Sequence, residues 1–258
     1  METITGKATG KASSIVTEAH ARQYREEGWF VLERALPADQ LELLRGLAQS
    51  AMDRADAEMD TAAVDRLGLN HRGRRYFVSG MAEQEPSLRS FLFGDLMADI
   101  CRATLGPDAF QFVEQFVIKA ADKDSAFSWH QDSGFVHEDH EPYLTCWIAL
   151  DDVTEANGSV YLLPYSRAGV RSYVKHFHDE ATNDKVGYFG DDPGTPVVVP
   201  AGSIACFSSV VFHRSGPNLT QDLRRVYLAQ YSSEVIRTKD GTQAWEGFEE
   251  FLRDGERV

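Results

Sequence analysis

The amino-acid sequence predicts a mainly β protein with flanking α-helices, folded as an antiparallel barrel or jelly roll. Apolar residues recur at helical spacing in the N-terminal part of the chain. From Phe110 onward, short β-rich runs alternate with Gly, Pro, Asn and Asp, which are typical of turns. The chain has no long internal repeat and no convincing linker between the two parts, so the helices are expected to pack outside the β structure.

The first elements are a tail, a short helix and a strand. Residues 1–14 lack the apolar segment of a signal peptide and predict a disordered tail. Thr17 can cap a helix that continues to about Glu27, where Gly28 ends it. The following run, WFVLERAL, predicts a strand.

Two longer helices are expected next. Pro37 and Asp39 open a second helix that extends to about Glu58, and Pro86 opens a third that Gly106 and Pro107 end. Residues 60–75 between them are polar and predict a loop. Each helix has one apolar face, formed by Leu41, Leu44, Leu47 and Ala48 in the second and by Leu88, Phe91, Leu92, Leu96 and Ile100 in the third.

The β-rich part consists of five runs that predict the barrel strands. They are AFQFVEQFVIKA at 109–120, TCWIALDDV at 145–153, GSVYLLPYS at 158–166, TPVVVPAGSIACFSSVVFHRSG at 195–216 and RRVYLAQYSSEV at 224–235.

Size and composition exclude several classes of protein. A chain of 258 residues predicts one domain, over 15–258. A net charge of −14 predicts a surface that repels nucleic acid and anionic membranes, and no apolar run reaches the roughly 18 residues of a membrane span. Cys101, Cys146 and Cys206 lie in apolar stretches and indicate buried free thiols. A cytoplasmic protein with a small-molecule substrate is expected, and its oligomeric state stays open.

The stretch FSWHQDSGF, residues 127–135, places a histidine and an aspartate two positions apart. On a strand, His130 and Asp132 would share one face while Gln131 points away. A second histidine from elsewhere would complete the 2-His-1-carboxylate triad of non-haem Fe(II) sites. The pair alone is a weak signal, because such tripeptides are common by chance.

The remaining histidines compete for the place of third ligand. His213 follows the apolar run SSVVF and precedes a turn, where a barrel strand would end, although alone it is more typical of a core histidine. HFHD at 176–179 also alternates, but its polar neighbours indicate an exposed hairpin or lid. HEDH at 137–140 indicates an exposed loop, and His20 and His71 indicate solvated side chains.

An arginine downstream of His213 favours a site there. Arg224 follows eleven residues later, on a β-run that a short turn brings back beside His213. A buried arginine needs an anionic partner, and its planar fork suits a carboxylate. Arg225 is the competitor, since side chains alternate and only one of the two can face inward. The pattern leaves this choice open.

Taken together, these motifs resemble the phytanoyl-CoA dioxygenase family of Fe(II)/2-oxoglutarate-dependent oxygenases. The resemblance lies in WHQD at 129–132, NGSVYLLPYS at 157–166, VPAGS at 199–203 and the segment from Phe212 to Arg224. It covers roughly 110–231 and implies a double-stranded β-helix, a cupin-like jelly roll. The N-terminal helices resemble the family in kind only.

The resemblance implies an oxidoreductase in which His130, Asp132 and His213 hold Fe(II) and form the catalytic centre. Such a dioxygenase uses O2 and 2-oxoglutarate to hydroxylate or otherwise oxidise an unactivated C–H group of a small metabolite or natural-product intermediate, releasing succinate and CO2. Related halogenases lack the carboxylate, so Asp132 disfavours that variant. The alternatives are a cupin-like hydrolase or isomerase without 2-oxoglutarate, which would not need Arg224, and a non-catalytic binding module, which would tolerate loss of the triad.

The resemblance also implies a binding site for 2-oxoglutarate. Arg224, preferred to its neighbour on this ground, would bind the far carboxylate, with Ser215 beside it. The family positions that often line this pocket correspond to Lys119, Thr145 and Trp147, and Trp147 fits a core aromatic equally well.

The sequence does not identify the substrate. The loops expected to cover it are 60–75, 134–142 and 170–194. Candidate contacts in them are Arg72, Arg74, Arg75 and Tyr76 for an anion, and Tyr188 and Phe189 as lid aromatics.

Overall fold

The computed structural model describes residues 14–123, 125–180, 184–243 and 247–258, so the predicted tail lies outside the described residues except for Ser14. The helices are α1 (Glu18–Glu27), α2 (Ala38–Thr61), α3 (Pro86–Leu92), α4 (Asp95–Thr104) and α5 (Tyr165–Ala168), with 3-10 turns at Asp132–Phe135 and Glu155–Asn157. The strands are β1 (Trp29–Leu32), β2 (Arg66–Leu67), β3 (Asn70–His71), β4 (Arg75–Ser79), β5 (Ala109–Lys119), β6 (Phe127–His130), β7 (Leu144–Ala149), β8 (Val160–Leu163), β9 (Phe177–Asp179), β10 (Asp184–Val186), β11 (Thr195–Pro196), β12 (Ile204–Ser208), β13 (Phe212–Ser215), β14 (Arg224–Ser232), β15 (Glu249–Arg253) and β16 (Glu256–Arg257).

Two antiparallel sheets form the β structure. The larger has the order β1-β12-β7-β14-β5-β4-β3-β2, with β15 also paired to β5, and the smaller has the order β11-β8-β13-β6. Strands β9 and β10 form a separate hairpin. The mixture of consecutive and crossover neighbours is that of a jelly roll, so the predicted fold class is confirmed.

Two apolar clusters hold these layers together. The larger cluster joins the helices to one face of the large sheet, for example through Leu44, Leu92, Ile148 and Tyr227, each 0% exposed. The smaller cluster lies between the two sheets and contains side chains of β7, β8, β12 and β14. Sheets pack in this way because each strand presents one apolar face to the facing layer.

The first helix follows its sequence signals closely. Thr17 Oγ1 caps α1 by accepting from the His20 N–H, and His20 Nδ1 accepts from the Thr17 backbone N–H to complete a capping box. The His20 ring stays partly exposed, as expected, but one face stacks on Phe30 at 5.3 Å between centroids. Gly28 ends the helix with φ of 82°, and a Cβ there would overlap Val211 and Tyr165.

The predicted third helix is two helices. Gly94 interrupts it with extended backbone, φ −81° and ψ 170°, and starts α4 at Asp95. Ala98 N–H donates to the carbonyl of Gly94, as in the first turn of a new helix. The apolar pattern continues across this break, and for this reason the sequence pattern alone predicts a single helix.

The predicted loop at 60–75 is also wrong in part. Strands β2 and β3 form a short hairpin within it, and β4 begins at Arg75 and pairs with β5. Tyr76 and Val78 are buried on alternate positions of β4, which is the pattern of a strand packed on helices. The alternation in RYFVS was the available signal.

The predicted β-runs correspond to observed strands, with small differences at their ends. The β-runs from position 109 to 235 contain β5, β7, β8, β11 to β14, while the end of GSVYLLPYS turns into α5. Strands β15 and β16 were not predicted, whereas β9 and β10 form the hairpin expected at HFHD. The three cysteines are buried and free. In the described part of the chain, no helix combines the length and the apolar character needed to cross a bilayer.

Candidate active site

His130, Asp132 and His213 come together between the sheets, although they are distant in sequence. Strand pairing places His213 of β13 opposite His130 of β6, with ring centroids 4.1 Å apart. Asp132 Oδ1 lies 3.4 Å from His213 Nε2. One ligand atom from each residue lies within 4.8 Å of the other two, and no other such group of His, Cys, Asp or Glu occurs among the described residues. Two imidazoles and one carboxylate are the donor set of a non-haem Fe(II) site.

The backbone around this pair differs from the predicted strand. His130 is the last residue of β6, and Asp132 begins a 3-10 turn. Gln131 between them stays extended, with φ −112° and ψ 141°, so the two ligand side chains still share one side. The buried Gln131 side chain points away and donates to the carbonyls of Ser172 and Val210 at 3.0 and 2.7 Å. These bonds fix the turn that presents the pair.

Both imidazoles are oriented by backbone carbonyls. His130 Nδ1 lies 2.7 Å from the carbonyl of Ser128, and His213 Nδ1 lies 3.2 Å from that of Val211. A proton on each Nδ1 leaves Nε2 unprotonated and able to bind a metal. Removal from bulk water, together with the adjacent His213, lowers the pKa of His130 to about 3. This ring is therefore neutral at physiological pH, as a metal ligand must be.

Asp132 is held by two further side chains. Thr145 Oγ1 donates to its Oδ2 at 2.5 Å, and Gln230 Nε2 donates to the same oxygen at 3.1 Å and to Thr145 Oγ1 at 3.0 Å. Burial would raise the pKa of Asp132, but His213, His130 and Thr145 outweigh burial and lower it to about 2. The carboxylate is thus ionised, with Oδ2 occupied and Oδ1 directed at the histidines.

The triad lines a cavity of about 540 Å³. This size is within the range of small-molecule sites. Its walls are apolar and aromatic with several charged groups, and the five other predicted positions, Lys119, Thr145, Trp147, Ser215 and Arg224, also line it. Gln230 was not predicted as a site residue, although a polar residue inside the apolar β14 run was a usable signal.

Arg224 faces this cavity and Arg225 does not. Arg224 is 2% exposed, its Nε has no hydrogen-bond partner among the described residues, and its Cζ lies 5.7 Å from the centroid of Trp147. Burial lowers the pKa of Arg224 to about 10, so the guanidinium remains charged at neutral pH. Arg225 instead pairs with Asp151, with Nη2 2.6 Å from Oδ1. The choice that the sequence pattern left open is decided by this difference in packing.

Lys119 and Ser215 lie beside that arginine. Lys119 Nζ donates to Ser215 Oγ at 2.8 Å and to the carbonyl of Gly216 at 2.9 Å. Lys119 is 1% exposed. Burial, and then the neighbouring Arg224 and Arg75, lower its pKa well below the usual value. A deeply buried group of cations of this kind suits an anion in the cavity.

The sequence profile of the family described as Phytanoyl-CoA dioxygenase (PhyH) matches residues 24–226, which is most of the chain. The chain belongs to the phytanoyl-CoA dioxygenase family. The predicted family is confirmed, and with it the class of dioxygenase that uses Fe(II), O2 and 2-oxoglutarate. Small-molecule substrates are expected for this family.

Individual relatives of this family member are distant. A phytanoyl-CoA dioxygenase of Arabidopsis thaliana is 27% identical over 100 residues, which cover 38% of this chain and 35%, about a third, of that protein. The L-proline trans-4-hydroxylase of Streptomyces griseoviridis is 25% identical over 249 residues, covering 85% of this chain and 87% of that one. Among solved structures, the non-heme alpha ketoglutarate dependent carbocyclase SnoK from nogalamycin biosynthesis has a TM-score of 0.71 at 17% identity and covers 93% of this chain and 99% of its own. At 17% identity, the similarity to SnoK supports the fold alone.

The rival histidines of this family member have other contacts. HFHD lies at the β9–β10 hairpin, as predicted, and His178 is exposed and lines the cavity. His176 is only half exposed, because its Nε2 accepts from the backbone N–H of Gln131 at 2.8 Å and its Nδ1 lies 2.8 Å from the carbonyl of Val174. His176 thus braces the turn between the two ligands. In HEDH, His140 Nε2 lies 3.0 Å from Ser133 Oγ, which also differs from a fully exposed loop.

Of the suggested substrate contacts, only Arg75 lines the cavity. Arg72 is paired with Asp56, Asp60 and Asp65, Arg74 with Asp122, and Tyr76 is buried. Tyr188 packs edge-on against Trp129, and Phe189 is 71% exposed outside the cavity. Phe135 of the predicted 134–142 loop and Leu69 of the 60–75 hairpin contribute apolar walls instead.

Proposed function

We propose that this protein is an Fe(II)/2-oxoglutarate-dependent oxygenase that oxidises a C–H group of a small molecule, most simply by hydroxylation. His130, Asp132 and His213 would hold Fe(II), and Arg224 with Ser215 would hold the far carboxylate of 2-oxoglutarate. The observation that carries this proposal is the presence, in one cavity, of a 2-His-1-carboxylate group and a buried arginine without an ion-pair partner among the described residues.

The residues present fit both groups. Two imidazoles and an ionised carboxylate match the ligand preference of Fe(II). A buried guanidinium with an unsatisfied Nε is costly unless an anion pairs with it, and a carboxylate matches its fork. A cupin-like hydrolase or isomerase would need the triad but would have no use for this arginine. The binding module is disfavoured because the triad is intact and oriented.

When bound, iron would activate O2, which is the oxidant, and 2-oxoglutarate would supply electrons as the co-reductant. The protein's part is to bind, orient and exclude water. The carbonyls of Ser128 and Val211 keep Nε2 of each histidine unprotonated. Lys119 aligns the Ser215 hydroxyl beside Arg224. The aromatic and apolar walls would favour an apolar substrate over water in the cavity.

Thr145 and Gln230 would act through Asp132. The sequence resemblance assigned Thr145 to the cosubstrate pocket, but its hydroxyl is donated to Asp132 Oδ2. With Oδ2 occupied by two donors, Asp132 is set to bind the metal through Oδ1 alone. We therefore treat both as residues that position the carboxylate.

Replacing Thr145 by valine is expected to weaken Fe(II) binding by about 10- to 100-fold, the usual cost of losing an outer partner of a metal ligand. Valine keeps the volume and removes only the donor to Asp132. Anaerobic Fe(II) titration of the two proteins measures the effect. Thr104→Val, which removes a hydroxyl bonded to the carbonyl of Ile100 in α4, should leave the iron affinity unchanged. Equal iron affinity in Thr145→Val and the native protein would rule out the positioning role.

Formation of succinate tests the proposed function directly. The iron-loaded protein is expected to convert 2-oxoglutarate to succinate and CO2 slowly even without its substrate, and only when both Fe(II) and O2 are present. The assay is run beside Asp132→Ala, which should give none. Succinate formation that does not need iron, or that persists in Asp132→Ala, would contradict the proposal.

The proposed function also concerns the extent of the domain and the type of substrate. We propose that residues 15–258 act as one domain and that the substrate is a small metabolite or natural-product intermediate. The relative named L-proline trans-4-hydroxylase supports hydroxylation of a small molecule as the reaction type.

A further inference from the structure

The charge of the cavity is opposite to that of the chain. The sequence has 40 acidic and 26 basic residues, with a net charge of −14. The cavity, in contrast, is lined by five basic and two acidic side chains, namely Arg75, Lys119, Lys185, Arg214 and Arg224 against Asp132 and Asp184. Such local reversal concentrates anions in a cleft of an otherwise anionic protein.

Three of these cations form one row across the large sheet. Arg75 of β4 and Arg224 of β14 are both direct cross-strand partners of Lys119 on β5. Neighbouring strands lie only about 4.8 Å apart, and like charges directly opposite each other repel. Repulsion within the row is offset in part by Asp184 and Asp122, whose carboxylates attract both Arg75 and Lys119, and an anion in the cavity would offset it further.

The other cations of the cavity already have partners. Arg224 is assigned to 2-oxoglutarate, and Lys119 donates to Ser215 and Gly216. Lys185 Nζ donates to the carbonyl of Gly134 at 3.1 Å. Arg214 lies 3.8 Å above the ring of Tyr161 and donates to the carbonyl of Pro193, the residue before Gly194.

Arg75 is held by contacts of the same kind, and what distinguishes it is that both of its terminal nitrogens are open among the described residues. Its Nε donates to the carbonyl of Leu69 at 3.1 Å, and its Cζ lies 5.6 Å from the centroid of Phe127. No carboxylate lies within 4.0 Å of it in the described ranges, and neither terminal nitrogen has a hydrogen-bond partner there. The guanidinium is thus held in place at one nitrogen and open at the other two. This is the geometry of a preformed receptor for a planar anion.

We propose that Arg75 binds a carboxylate of the substrate, so that this family member acts on small carboxylic acids with an apolar or aromatic body. This inference rests on the proposed function. Phe77, Phe127 and Leu69 line the cavity with Arg75 and would contact that body. One open guanidinium matches the single charge of a carboxylate, whereas a phosphate dianion would require more donors.

Matched pairs of ligands test this inference. The probes are a panel of small aliphatic and aromatic carboxylic acids, each paired with its primary amide, titrated by calorimetry into protein that holds Fe(II) and 2-oxoglutarate without O2. The native protein is expected to bind at least one acid about 10- to 100-fold more tightly than its amide, because charge-assisted hydrogen bonds are lost in the amide. Arg75→Gln should abolish that preference. Arg74→Gln makes the same change of charge one residue away, at a side chain outside the cavity, and should retain it.

Two results would overturn the inference. One is a panel in which no acid binds more tightly than its amide, and the other is an acid preference that survives in Arg75→Gln. The visible absorption of the Fe(II) and 2-oxoglutarate complex, recorded on the same samples, separates this failure from failure of the proposed function. If that absorption is present and the preference is absent, only the role of Arg75 is wrong.

Discussion

The Asp132→Ala protein is expected to lose its iron and all oxygen-dependent turnover. Asp132 supplies the only carboxylate among the three clustered ligands. Loss of an outer partner of a ligand costs about 10- to 100-fold in metal affinity, so loss of the ligand itself should cost more than about a hundredfold. The measurement is iron per chain after anaerobic loading and desalting. Native protein should retain one equivalent and Asp132→Ala almost none, and His213→Ala should behave in the same way.

The matched control is His178→Ala. This imidazole lines the same cavity but is exposed and belongs to the β9–β10 hairpin. Its removal should leave one equivalent of iron bound. Retention of iron in a variant that lacks both His130 and Asp132, or loss of an equivalent in His178→Ala, would mean that a different set of residues binds the metal.

Replacing Arg224 by alanine is expected to weaken 2-oxoglutarate binding by about two orders of magnitude or more. A charge-assisted hydrogen bond contributes about 1.5–3 kcal/mol, removing one partner of a buried charge pair costs about 3–5 kcal/mol, and about 1.4 kcal/mol corresponds to a tenfold change. Iron affinity should change little, because arginine is not a ligand. Arg224→Lys should recover only part of the loss, because an ammonium cannot reproduce the planar fork.

Arg225→Ala separates the cosubstrate role from structural effects. Arg225 is paired with Asp151 and does not line the cavity, so its loss should lower stability modestly and leave 2-oxoglutarate affinity intact. Titration of 2-oxoglutarate into the iron-loaded variants measures both cases. If Arg225→Ala loses 2-oxoglutarate and Arg224→Ala retains it, the assignment of the inner face of β14 is wrong.

The strands near the site could be predicted because short-range alternation determines them. Residues 109–119 and 224–232 form long strands at the expected places. The choice between Arg224 and Arg225 could not be predicted from that pattern. Strand β14 lies between β7 and β5, and both its faces are covered, one by helices around Tyr227 and one by the cavity around Leu228. Alternation of polar and apolar residues is informative only when one face meets water.

Contacts between side chains that are distant in sequence could not be predicted from the sequence pattern. Gln230 reaches Asp132 only because β14 pairs with β7 at Thr145. His176 has polar neighbours in sequence and so was taken as exposed, but it bonds to Gln131 in a distant segment. Arg75 was one of several basic loop residues until the pairing of β4 with β5 brought it beside Lys119. The register between strands determines the contacts of Gln230 and Arg75, whereas His176 and Gln131 lie just outside β9 and β6.

Anaerobic absorption spectroscopy tests the central claim most directly. Fe(II) is added to the native protein without O2, and 2-oxoglutarate is added next. The account predicts a weak visible charge-transfer band that appears only when both are present and that is lost in Asp132→Ala. A native protein that binds both components and shows no such band, or that shows the same spectrum with Fe(II) alone, would contradict it.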